Sequence, residues 1–205
     1  YVIVNEEIER LSPEAKEAVS AGDGSMSGSI DGYITSTGFS STDAMRRMAS
    51  LADTPYILIY SKGFPLDMGS HAVARLTQIC KDSGAGMVYA DYYEKKNDTL
   101  APHPVIDYQQ GSLRDDFNFG SVTLYDAIAF RDACSRMDQE YSYAGLYDLR
   151  LKISQKYPLV HIQELLYTEV ETDTRKTGEK QFDYVDPRNR AVQVEMERAY
   201  THHLK

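Results

Sequence analysis

The sequence predicts an α/β domain with a mostly parallel central sheet flanked by helices. Two continuous apolar runs, Tyr56–Tyr60 (YILIY) and Met87–Ala90 (MVYA), have the composition of strands covered on both faces. Each follows a stretch of helical apolar spacing, and strands alternating with helices are the pattern of a parallel sheet. At 205 residues the chain has the length of one domain able to bury its own core.

The elements follow in order. Tyr1–Val4 is a short apolar run that reads as a buried strand. Ser12-Pro13-Glu14 reads as a cap, a first-turn proline and an acidic first turn, opening a helix that ends near Val19. Ser20–Gly32 is rich in Gly and Ser and reads as a loop; Gly32–Thr37 alternates as a strand does. Ser40–Asp53 carries Ala44, Met45, Met48, Leu51 and Ala52 on one helical stripe, and Thr54-Pro55 ends it. Ser70–Lys81 repeats that spacing with Ala72, Val73, Leu76, Ile79 and Cys80, and Gly84 is the natural stop. The strand from Met87 ends at Asp91. Asn97–Gly111, with two prolines, reads as a long loop or lid.

Ser121–Tyr125 reads as a strand, Leu146, Leu149 and Ile153 as one helix face, and Leu159–Ile162 and Glu164–Val170 as two extended segments. Glu171–Tyr184 is polar and exposed. Asp186-Pro187 starts the last helix, with Val192, Met196, Ala199 and Tyr200 on one side, so residues 185–205 form a C-terminal helical extension of a single domain.

Composition narrows the function. There are 31 acidic and 22 basic residues, a net charge of -9, which disfavours a nucleic-acid partner because phosphate binding wants a basic face. No apolar run approaches the roughly 20 residues needed to cross a bilayer. Cys80 and Cys134 are the only cysteines, as expected of a cytoplasmic protein without a disulfide framework. The chain starts at Tyr1 within a strand pattern, which suggests a longer protein with a preceding strand and other domains.

Four segments carry a resemblance. "STDAMRRMASLADTPYILIYSKGFPLDMGSHAVARL", "GMVYADYYE", "FNFGSVTLYDAIAFRDA" and "YAGLYDLRLKISQKYPLVHIQELLYTEV" resemble, in that order, segments of the inverting glycosyltransferase family 2, of GT-A fold. Within it the chain looks most like Bacteroidetes glycosyltransferase-like proteins. The resemblance covers roughly two-thirds of the chain. It implies transfer of a sugar from a nucleotide-diphosphate donor to a carbohydrate or lipid-linked acceptor, in cell-surface polysaccharide or glycoconjugate assembly. Such an enzyme neutralises the leaving diphosphate, in most members with Mn or Mg held by aspartate. A carboxylate takes the proton of the attacking hydroxyl. Both belong at the carboxyl ends of the strands.

The chain departs from the family at both places. Where the family has Asp-x-Asp, it reads Tyr60-Ser61-Lys62-Gly63, and no Asp-x-Asp occurs anywhere in it. Lys62 either neutralises diphosphate as a point charge or is a solvated loop lysine. The family's acidic pair aligns with Gly145-Leu146. Asp148, in Tyr147-Asp148-Leu149, is then the candidate base, or else a capping carboxylate. Arg150 pairs with Asp148 or with phosphate, or lies on the surface. Asp91, at a strand end, is the candidate metal ligand and nucleotide contact, or a turn residue. Asn5 and Glu6 take the nucleotide-facing position after the first strand. Asp115-Asp116 is a carboxylate pair that would bind a cation or sit in a polar loop. A second reading follows: a glycosyltransferase-like module without catalysis, which binds a sugar nucleotide or supports a partner domain.

Overall fold

The elements in chain order are β1 (Val2–Asn5), β2 (Tyr33–Ser36), α1 (Thr42–Leu51), β3 (Tyr56–Tyr60), β4 (Leu66–Met68), α2 (Ala72–Ser83), β5 (Met87–Lys96), β6 (Thr99–His103), β7 (Val122–Asp126), α3 (Ala127–Ser135), α4 (Gly145–Ser154), β8 (Leu159–Val170) and α5 (Arg190–His203). This computed structural model describes residues 2–5, 33–36, 38–62, 66–96, 99–170 and 190–205. The helix expected after Ser12, the Ser20–Gly32 loop, Glu6, the Glu171–Tyr184 stretch and Asp186-Pro187 lie outside them.

Local chemistry sets three of the helix ends. The Ser41 hydroxyl caps α1 by accepting the Ala44 N–H. Asp126 caps α3 by accepting from Ile128 and Ala129. Gly84 ends α2 in the left-handed conformation at φ 63°, which only glycine adopts without strain.

β1 and β2 pair in parallel as a two-stranded sheet. The other six strands form one sheet in the order β3-β7-β5-β8-β4, with β6 on β5. The domain is therefore mixed α/β, but the expected mostly parallel sheet is not what forms. Within the six strands only β5 and β8 are parallel. The β3–β7, β5–β7, β5–β6 and β4–β8 pairs are antiparallel. For β6 and β7 beside β5 the reason is the connection. A parallel return needs a crossover of a dozen residues or more, usually a helix, and among the described residues no helix lies between Met87 and Val122.

β5 also runs further than expected, through Asp91 to Lys96, because Thr99–His103 folds back on it as a hairpin instead of joining a loop. Pro102 is tolerated there because β6 is an edge strand. β7 pairs with Met87–Tyr89 of β5 and β6 with Tyr92–Lys96. The changeover falls at Ala90–Asp91. There β8 also shifts register, pairing Ile162 with Ala90 and Leu165 with Asp91, a bulge that re-aims the neighbouring side chains. The two expected segments 159–162 and 164–170 are thus one strand.

Two core clusters sandwich the sheet. Met45, Ile59, Met87, Tyr125, Phe130, Leu149 and Ile153 join α1, α3 and α4 to one face. Leu76, Cys80, Val88, Leu124 and Ile162 join α2 to the other. Burial pushes the Cys80 thiol up to about 11 and the Cys134 thiol up to about 12, so both are inert packing groups. A third cluster of Tyr141, Ala144, Tyr147, Leu151 and Ala199 seats α5 on α4. Among the described residues no helix is long and apolar enough to cross a membrane.

Candidate functional site

A cavity of about 250 Å³ opens where the end of β3 and the start of β7 meet α4 and the loop that precedes β7. Pleat and register set its floor. Ile59 pairs with Thr123, and Tyr125 with Met87, so these side chains share one face of the sheet. Asp115 and Phe117–Gly120 form one wall, and Leu146, Tyr147 and Arg150 of α4 the other. Gly120 has φ 73° and faces the Tyr167 ring, so no side chain fits there.

Helix α4 divides its charges between two faces by the four-residue period. Leu146 and Arg150 face the cavity. Asp148 and Lys152 face away from it and pair with each other at 3.1 Å, with side chains only 1% and 7% exposed. Burial, ahead of the Lys152 charge, raises the Asp148 carboxyl above its ordinary value. The candidate base therefore does not line the cavity, and its carboxylate is closed by Lys152.

Arg150 is 5% exposed. It donates to the Ser112 carbonyl at 3.2 Å and the Arg114 carbonyl at 2.8 Å. Its guanidinium lies 4.8 Å from the Tyr147 ring centre, 5.5 Å from Phe119 and 5.8 Å from Tyr108, a cation in an aromatic box. Burial lowers its pKa, with the neighbouring tyrosines opposing. It pairs neither with Asp148 nor with any other carboxylate of the described residues.

The Asp115-Asp116 pair is split. Asp116 is held by Arg114 at 3.0 and 3.1 Å, and that hydrogen bonding holds its carboxyl below the ordinary value. Asp115 is exposed and lines the cavity, as the one carboxylate among its described lining residues.

Lys62 ends beyond β3 with its ammonium on Glu169, whose side chain is 6% exposed. The other Glu169 oxygen accepts the Ser121 N–H at 3.1 Å. Lys62 thus balances a carboxylate of this chain. Asp91 lies within β5, not at its end. One of its oxygens accepts the Val105 N–H at 2.8 Å and meets Nε2 of His161 at 2.9 Å. The other ring nitrogen of His161 meets Asp107 at 2.7 Å. Tyr89 stacks on the His161 ring at 5.0 Å and meets Phe119 edge-on at 4.9 Å, so Asp91 stands two aromatic layers behind the cavity wall. Asn5 ends β1 opposite Ser36; Glu6 is outside the described residues.

Asp91 is the remaining carboxylate that the sequence offers as a ligand for Mn or Mg. Its engaged oxygen and its neighbours make a poor donor set. Among the described residues no group of three or more His, Cys, Asp or Glu converges to hold a cation. The described residues around Asp91 do not form a set that would hold a divalent cation.

No family model matches the chain, and no curated protein matches it.

Sequence reasoning missed four partners: His161, Glu169, Lys152 and Glu195. Lys152 was readable, since an acid four residues before a lysine on a helix is the ion-pair spacing. Glu195 belongs to α5 and accepts three backbone N–H groups in front of α4, from Ser142 at 3.2 Å, Tyr143 at 2.7 Å and Ala144 at 3.2 Å. Nothing local marks it or the other two, because their partners lie dozens of residues away.

Proposed function

We propose that the chain is a glycosyltransferase family 2-like domain of GT-A type. It moves a sugar from a nucleotide-diphosphate sugar to an acceptor hydroxyl with inversion, in assembly of cell-surface polysaccharide or glycoconjugate. One observation carries this reading. Three segments of the resemblance, YILIYSK, FNFGS and YAGLYDLRL, are separated in sequence yet wall a single cavity. On this reading the acceptor hydroxyl sits beside Asp115. That carboxylate takes its proton as general base while the oxygen attacks the anomeric carbon, and the nucleoside diphosphate leaves from the opposite face with the bonding pair. The nucleotide falls to Asn5, the last residue of β1, and to Glu6, the next residue in the sequence.

The module without catalysis is favoured by a different observation. Lys62 and Asp148, two groups the resemblance would use, are each closed by a partner within the chain. Release of nucleoside diphosphate from a panel of donor sugars, with and without Mn²⁺, separates the two. Turnover that falls about 10²- to 10⁴-fold in Asp115→Asn, with donor affinity kept, supports the enzyme. Donor binding with no turnover supports the module. No binding of any donor overturns both.

A further inference from the structure

The cavity holds a buried cation that nothing in the described chain neutralises. Arg150 is more than nine-tenths buried and lines the cavity. Removing a charge from water is costly unless it is paired, and the groups around Arg150 are carbonyl oxygens and aromatic rings. A guanidinium has five N–H donors. Two go to the Ser112 and Arg114 carbonyls, which leaves donors over for a ligand. Such a fork matches a planar carboxylate.

Size and charge limit that ligand. At about 250 Å³ the cavity is smaller than the roughly 300–1,000 Å³ of pockets that enclose drug-sized molecules. One pyranose ring fits, and a whole nucleotide-diphosphate sugar does not. Asp115 shares the cavity and repels a doubly charged phosphate more than a singly charged carboxylate.

We propose that the cavity is the acceptor subsite, that it takes a hexuronic acid unit, and that Arg150 anchors the sugar's carboxylate. The sugar class rests on the transferase reading, whereas the anion site rests on Arg150 alone.

Calorimetry with methyl β-glucuronoside and methyl β-glucoside on the same sample tests it, beside inorganic phosphate and a panel of nucleotide-diphosphate sugars. The expected result is glucuronoside binding at least about tenfold tighter than glucoside binding. Arg150→Lys weakens it, but that substitution also loosens the Ser112 and Arg114 carbonyls. Leu146→Glu is the second variant. It keeps the arginine and places a carboxylate four residues before it on the same helix face, so it competes with the ligand and lowers glucuronoside affinity by about tenfold or more. Equal binding of the two glycosides, phosphate binding as tight as the glucuronoside, or unaltered affinity in Leu146→Glu overturns the proposal. Donor binding without glucuronoside binding overturns it and leaves the transferase reading standing. Glucuronoside binding without donor binding supports the subsite and removes the transferase.

Discussion

Gly145 lies directly against the backbone of Thr42. A Cβ at Gly145 would overlap the Thr42 amide nitrogen and the Ser41 carbonyl carbon, and would stand 2.8 Å from the Ser40 carbonyl oxygen. The Leu146 N–H donates to that same oxygen at 3.1 Å, so the first turn of α4 is bonded to the backbone that leads into α1. The first of the two positions that the resemblance assigns to an acidic pair is thus sterically closed in this chain. The second, Leu146, is open toward the cavity.

Gly145→Ala is therefore expected to lower stability by about 1–3 kcal/mol, toward the upper end because the obstacle is backbone and not a side chain that can turn. Urea unfolding of the variant checks this. An unchanged midpoint would mean the two helices separate readily.

The Asp148–Lys152 pair predicts a contrast between single and double substitution. Asp148→Ala strands a buried ammonium and costs about 3–5 kcal/mol, whereas Asp148→Leu with Lys152→Met is close to neutral. Equal losses in the single and double variants, read from chemical denaturation, would count against a paired charge.

Asp148 also predicts a pH dependence. Its folded pKa lies above the ordinary 3.8, so the folded state binds the proton more tightly than the unfolded state does. Its contribution to stability is fully present below the unfolded value and is lost as pH rises through the folded one. Measured from about pH 3 to about pH 7, the stability of the parent minus that of Asp148→Asn should decrease with rising pH. An increase would reverse the assignment of burial as the dominant influence.

The loop between β6 and β7 is fastened by Asp91 through the buried Val105 N–H. Asp91→Ala leaves that donor unsatisfied, at a cost of about 1–3 kcal/mol. The Val105 amide should exchange hydrogen faster in Asp91→Ala and in His161→Ala, with α2 amides as the unaffected control. Uniform acceleration across the chain would instead indicate general loosening.

Much of the fold was legible because its signals are local. YILIY and MVYA are strands, and the apolar stripes at Ala44–Leu51 and Ala72–Cys80 are helices, since burial of one face or two is written into residue spacing. Strand direction was not legible. It depends on whether a helix fits between two strands, and the Thr-Leu-Ala-Pro-His hairpin strand looks like loop until β5 pairs with it. The site follows the same rule. Arg150 and Asp148 were both candidates, and their two-residue separation already places them on different faces of a helix. Which face met a cavity depended on a loop thirty-odd residues upstream. Asp91 changed meaning once His161 arrived beside it from β8.

The Glu195 carboxylate holds three successive amides in front of α4, while its neighbour Met196 forms part of the cavity wall. The phase of the last helix is thereby tied to the shape of a pocket assembled from the middle of the chain. One residue inserted between Glu195 and Met196 would turn the two relative to each other by about 100°, so the carboxylate could not stay on its amides while Met196 stays on the wall. Changes in the length of this helix are thus changes of pocket shape, and a drift of one position would alter what the pocket accepts without touching any residue of the sheet.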